Sequence, residues 1–133
     1  MITVYHTRLD DMQGEVACGI AGGFNPDRAK LAALLMETGF YEAVAECDLL
    51  PAAAGLETVW TMTQNGVLSD SWSRKPPIGL RPLEPTVVVE NGRAYGRRSS
   101  MVGDVFECAH PDGRTERHVC DVFGFMLIPQ QLK

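Results

Sequence analysis

The sequence predicts an α+β fold: an antiparallel sheet of about 4–6 strands with two helices packed on one face. Two turn-centred strand pairs follow one another in the last third of the chain, and two apolar stripes at helical spacing precede them. Consecutive hairpins imply antiparallel pairing, and the helices must bury their stripes against the sheet. A chain of 133 residues has the size of one domain, able to bury roughly two thirds of its unfolded surface. The expectation is a single domain over residues 1–133, with an irregular Pro-rich connection at 65–85.

The β-branched and aromatic segment ITVYHT, residues 2–7, reads as the first strand. Glycines 19, 22 and 23 stand before a helix, but CGIAGGFNPD fits no phosphate-loop pattern and reads as a flexible loop. Asn25-Pro26-Asp27 supplies a capping side chain, a proline harmless in the first turn and an acid favoured by the helix dipole. A helix is therefore predicted over about 26–38, with Leu31, Leu34, Leu35 and Thr38 at helical spacing and Gly39 closing it.

Residues 40–48, FYEAVAECD, alternate as a strand with Phe40 and Val44 on one face and Tyr41, Ala43, Ala45 and Cys47 on the other, although their Ala and Glu content also allows a helix. The spacing of Leu56, Val59, Trp60 and Thr63 predicts a second helix over about 53–64. The stretch from Asn65 to Pro85 carries four prolines, two glycines and no sustained period. Beyond it, VVVENGRAY centres on Asn91-Gly92, a pair with easy access to positive φ. VGDVFECA and RHVCDVFGFMLI then flank the turn residues His110-Pro111-Asp112-Gly113.

Hydrophobic residues make up 45% and charged residues 22% of the chain, the usual balance for a soluble protein. No run approaches the roughly 20 apolar residues that span a bilayer. MITVYHTRLDD lacks the basic start and apolar middle of a secretory signal, so a cytoplasmic location is expected. Cys18, Cys47, Cys108 and Cys120 contain no CxxC pair and read as reduced, mostly buried thiols. The net charge of -5 is concentrated at the front: 11 acids against 6 bases through Glu84, then 6 of each from Pro85. That balance argues against tight sequence-independent DNA binding, which needs Lys and Arg along the phosphate backbone.

Arg98-Ser99-Ser100-Met101-Val102-Gly103-Asp104-Val105 resembles the R-S-x-S-V-G-D-V signature of the YodL-like family of small proteins carried by phages, plasmids and integrative elements. Leu56-Glu57-Thr58-Val59-Trp60-Thr61-Met62-Thr63 resembles the same family's L-E-x-V-F-x-L-T segment, and Asp121-Val122-Phe123-Gly124-Phe125 its D-S-F-G-F close. The resemblance spans about residues 40–128. Met101 replaces the second serine, and Gln64 adds a residue before Asn65. The resemblance implies a mobile-element origin and a small α+β fold, with no catalytic residue to carry over.

RRSSMVGDVF has two readings. It is either a polar loop that feeds a strand, with Gly103 relieving the turn and Asp104 bonded to nearby amides, or a docking site with Arg97 and Arg98 as forked donors. Cys108-x-His110 and His118-x-Cys120 carry zinc-ligand residue types that a hairpin would bring together, although Cys108 shares a strand face with the core residue Phe106. A thiol-dependent enzyme on the same residues would need an open pocket and an oxyanion loop. His6 reads as structural. Trp72, Arg74 and Lys75 form either an exposed contact patch or a tryptophan folded over the core edge.

The leading expectation is a non-catalytic accessory protein of a mobile element, without cofactor. It would bind a host protein or nucleoprotein complex, as an inhibitor of a defence such as CRISPR or restriction. Its partner-binding candidates are Asp10, Asp11, Glu15, Trp72, Arg74, Lys75, Arg97 and Arg98. The alternative is a nucleic-acid-binding or regulatory module using Arg93, Arg97, Arg98, Arg114 and Arg117 around the hairpins.

Overall fold

Alternating burial along the β-branched N-terminal segment makes it a strand whose two faces both meet apolar layers. The computed structural model describes residues 1–49 and 53–129. In chain order the elements are β1 (Ile2–Thr7), α1 (Gly14–Ala21), α2 (Arg28–Glu37), β2 (Tyr41–Cys47), α3 (Ala53–Met62), β3 (Leu80–Pro82), β4 (Val87–Glu90), β5 (Arg93–Gly96), β6 (Val105–Ala109), β7 (Thr115–Asp121) and β8 (Gly124–Leu127). A 3-10 turn covers Leu9–Asp11. Six strands pair antiparallel in the order β3-β2-β1-β6-β7-β8, and β4 and β5 form a separate hairpin. The α+β class and the antiparallel sheet follow the sequence expectation, and no described helix is long and apolar enough to cross a membrane.

The helices divide between the two faces of the sheet instead of sharing one. Ile2, Val4, Phe106, Cys108 and Cys120 pack with Leu56, Val59 and Met62 of α3. Val105 and Val119, their neighbours along β6 and β7, pack instead with Ile20 of α1 and Ala29, Ala32 and Leu35 of α2. Alternation along the strands therefore gives each face its own core. The supposed flexible loop around Gly19 is in fact the end of α1.

Arg28 explains why α1 holds. Its fully buried guanidinium donates through Nε to the Ile20 carbonyl at 2.8 Å and through Nη2 to the carbonyls of Gly22 and Gly23, and it pairs with Asp121 at the end of β7. Those carbonyls lie at and just beyond the C-terminal end of α1, where unpaired acceptors favour a cation. The α2 boundary lies two residues inside the expected start at 26, because Asn25 Oδ1 accepts the Asp27 amide at 3.0 Å and makes a turn first. At its other end Gly39, with φ +82°, lets Phe40 N–H reach the Leu35 carbonyl at 3.0 Å. The stripe that packs is Ala29, Ala32 and Leu35, whereas Leu34 stands 55% exposed.

Strand β2 changes face midway. Val4 pairs with Ala45 and Tyr5 with Ala43, so Val44 is an unpaired bulge residue. Tyr41 consequently lies in the α2-side core while Ala45 and Cys47 lie in the α3-side core, where simple alternation put all three together. The Val44 carbonyl accepts the Leu83 amide at 2.8 Å. The Asn91-Gly92 turn forms as expected, with φ of 51° and 75°. RHVCDVFGFMLI, in contrast, folds back at Val122-Phe123 into two strands, β7 and β8.

Candidate functional site

The segment from Arg97 to Asp104 crosses one end of the sheet between β5 and β6, and its polar groups are turned inward. Asp104 is fully buried. Arg98 grips it with two charge-assisted bonds, Nη1 to Oδ2 at 2.7 Å and Nη2 to Oδ1 at 2.8 Å. The amides of Thr7 and Met101 donate to the same carboxylate at 2.9 and 2.8 Å. Gly103, with φ +96°, makes the turn that presents Asp104. A Cβ at Gly103 would stand 2.5 Å from the Ile20 carbonyl oxygen, so the chain passes α1 there only without a side chain. The Gly103 carbonyl accepts the Tyr41 hydroxyl at 2.6 Å.

The serines tie the same segment to the end of α3. Ser99 Oγ accepts the Asn65 amide at 2.8 Å. Ser100 Oγ lies 2.7 Å from Thr63 Oγ1 and 3.1 Å from His6 Nε2, and its amide donates to the Thr63 carbonyl at 3.0 Å. Trp72 is wholly buried, with its indole N–H on the Arg98 carbonyl at 2.8 Å and its ring edge-on to His6 at 5.8 Å. Trp72 is therefore no contact residue: it covers the core edge. Arg74 and Lys75 remain exposed and line a separate hollow of about 290 Å³ with Asp70 and Ser71.

Ser100, His6 and Asp104 bring a serine, a histidine and a carboxylate together, a grouping that no local pattern in the sequence announces. The geometry is not that of a nucleophile relay. Ser100 Oγ and Asp104 Oδ2 both approach the same nitrogen, His6 Nε2, at 3.1 and 3.7 Å, whereas a relay needs the carboxylate on one ring nitrogen and the serine on the other. Ser100 is only 3% exposed. Burial lowers the His6 pKa to about 4, opposed by Asp104 and reinforced by Arg98 and Arg97.

Beside this network lies a cleft of about 600 Å³ lined by Thr7, Arg8, Asp10, Asp11, Glu42 and Arg97, among others. Asp10 and Asp11 stand exposed on the 3-10 turn at its rim, while Glu15 lies in the first turn of α1, outside the lining. Arg97 is buried, with Nε on the Pro85 carbonyl at 2.7 Å and Nη2 against the Glu42 carboxylate as an ion pair without hydrogen-bond alignment. Arg8 reaches the same carboxylate at 3.5 Å. Arg97 and Arg98 are thus paired with carboxylates of the protein itself, and the fork of Arg98, expected to serve an external anion, is occupied by Asp104.

The second hairpin does not gather Cys108, His110, His118 and Cys120. Cys108 sits opposite Glu116, His118 opposite Phe106 and Cys120 opposite Phe125. Cys108 and Cys120 belong to the α3-side core, where burial raises both thiol pKa values, that of Cys108 to about 11. His110 Nε2 lies 2.9 Å from Glu116 Oε1, and burial lowers the His118 pKa. Among the described residues no group of three or more His, Cys, Asp or Glu side chains is arranged to hold a metal ion.

No family model, curated protein or solved structure matches the chain.

Proposed function

We propose that this protein is non-catalytic and acts by binding another protein. The observation that carries the reading is a division of labour between interior and surface. Among the described residues, the Ser100–His6–Asp104 cluster, which has nucleophile, base and acid residue types, is buried and hydrogen-bonded within the protein, while large apolar side chains stand in solvent. Phe123 is 92% and Ile78 101% exposed, and Val89 of the detached β4–β5 hairpin is 69% exposed. These exposed apolar side chains are surface that a protein partner would cover.

The finer reading is that of an accessory protein from a phage or plasmid, located in the cytoplasm, that inhibits a host defence such as CRISPR or restriction. It rests on the resemblance of the 98–105 segment to the YodL-like proteins and on the acids Asp10, Asp11 and Glu15, which would meet a basic nucleic-acid groove. The nucleic-acid reading has less support. Arg97 and Arg98 are committed as described, Arg114 pairs with Asp112 and Glu116, and Arg117 pairs with Glu107. Each pair returns the charge that a phosphate backbone would need.

The test is affinity capture from host lysate with and without nuclease, followed by charge reversal at Asp10, Asp11 and Glu15. A protein partner retained after nuclease and weakened by the reversal supports the reading. Recovery that disappears with nuclease and falls with salt overturns it in favour of nucleic acid.

A further inference from the structure

The two edges of the main sheet differ. At one edge β3 is three residues long, contains Pro82, and carries Arg81 in an ion pair with Asp48 at 2.7 Å. Short length, proline and charge are the usual guards against strand addition. The other edge is β8, Gly-Phe-Met-Leu, with neither proline nor charge in it. No described strand pairs with its outer side, Leu127 is 57% exposed, and Phe123 projects from the turn that leads into it.

Next to β8 a groove of about 400 Å³ opens toward α3, lined by Glu57, Trp60, Thr61, Asp121, Val122, Gly124 and Phe125. Its floor is aromatic: the rings of Trp60 and Phe125 meet edge-to-face at 6.4 Å. Its charge is acidic. Asp121 is partly answered by Arg28 from behind, but no cation among the described residues pairs with the carboxylate of Glu57. Among the described residues no lysine or arginine lines the groove. An open strand edge beside an aromatic, carboxylate-bearing groove has a definite complement: backbone to continue the ladder, and a cationic side chain over the ring of Trp60 and against Glu57.

We propose that β8 is the docking edge for an extended basic segment of the partner protein, which adds as a seventh strand and places an arginine or lysine in the Glu57–Trp60 groove. The inference rests on the protein-binding reading and names the chemistry of the partner. Alternate side chains of an added strand face α3, so an alternating pattern of basic and apolar residues fits the site. The outward-facing backbone groups of Phe125 and Leu127 supply the ladder, and the exposed ring of Phe123 meets an apolar side chain at its end.

Fluorescence anisotropy with a labelled peptide alternating valine and arginine, beside one alternating valine and glutamate, tests this. The arginine peptide is expected to bind, the glutamate peptide not. Glu57→Gln, on an exposed helix position, is expected to weaken binding on the order of tenfold without loss of fold, and Leu127→Pro to abolish it. Equal binding of both peptides, no binding of either, or an unchanged affinity for Glu57→Gln would overturn the proposal. So would a concentration-dependent dimer removed by Leu127→Pro, which would assign the edge to a second copy of this chain. A protein captured from lysate equally well by wild type and Glu57→Gln would sink this edge assignment while leaving the protein-binding reading intact.

Discussion

His6 makes the stability of this protein depend on pH in a way that one substitution isolates. The ring is 4% exposed, touches Ser100 and Trp72, and lies 3.7 Å from an Asp104 carboxylate already claimed by Arg98. Its pKa falls from 6.5 to about 4, chiefly because burial disfavours the imidazolium. Between those values the unfolded chain takes up a proton that the folded protein refuses, so acid favours unfolding. The stability associated with neutral His6 is present above pH 6.5 and is lost as pH falls toward 4. At roughly 1.4 kcal/mol for each pH unit across that gap, the loss amounts to about 3 kcal/mol. Urea unfolding of wild type and His6→Gln from pH 7.5 down to pH 4.5 reads it directly. The wild-type curve is expected to fall more steeply, and the difference between the two proteins is free of the carboxylates they share. Parallel curves would refute the reasoning, as would an imidazole carbon resonance of His6 that titrates near 6.5 in the folded protein.

Arg98→Ala leaves the Asp104 carboxylate buried without its cation and is expected to cost about 3 kcal/mol in chemical denaturation; adding Asp104→Asn should recover part of that loss, because the stranded charge is gone. Gly103→Ala forces a left-handed residue against the Ile20 carbonyl and is expected to cost more than about 1 kcal/mol, seen as a lowered melting temperature. In native protein a thiol reagent should modify Cys18 quickly and Cys47, Cys108 and Cys120 only slowly, since the first is exposed and the others are buried; mass spectrometry after a short pulse would show a single adduct, and rapid modification of Cys108 would contradict its place in the core.

Local chemistry made parts of this fold legible. Asn91-Gly92 declares a hairpin because few other pairs accept positive φ twice, and the α3 stripe of Leu56 and Val59 lies where helical spacing puts it. The faces were harder to read. Residues 40–48 alternate cleanly on paper, yet the Val44 bulge moves Tyr41 and Ala45 into different cores, and nothing local in the sequence marks a bulge. Val122-Phe123 likewise carries none of the usual turn residues before Gly124, so β7 and β8 read as a single strand. The polar network stayed hidden for a different reason. His6 and Ser100 are separated by 94 positions, and Thr7 and Asp104 by 97, so their partnership exists only after the sheet has formed. Arg97 and Arg98 show in sequence as two surface cations, and only the positions of Glu42 and Asp104 reveal that both are spent.

The place of β1 shapes how this protein can be made. β1 is an inner strand that leaves the ribosome well before one of its partners: Ile2 pairs with Cys47 on one side and with Cys108 on the other. The β1–β2 pair can zip early, but the contacts of β1 with β6 close a loop of most of the chain, the kind of non-local pairing that slows folding. On a ribosome adding roughly 5–20 residues per second, Ile2, Thr3, Val4 and Tyr5 wait on the order of seconds for their second neighbour. During that interval an apolar strand edge is open to whatever else is nearby, and a chain arrested before Val105 would keep it open and be a substrate for chaperones and proteases.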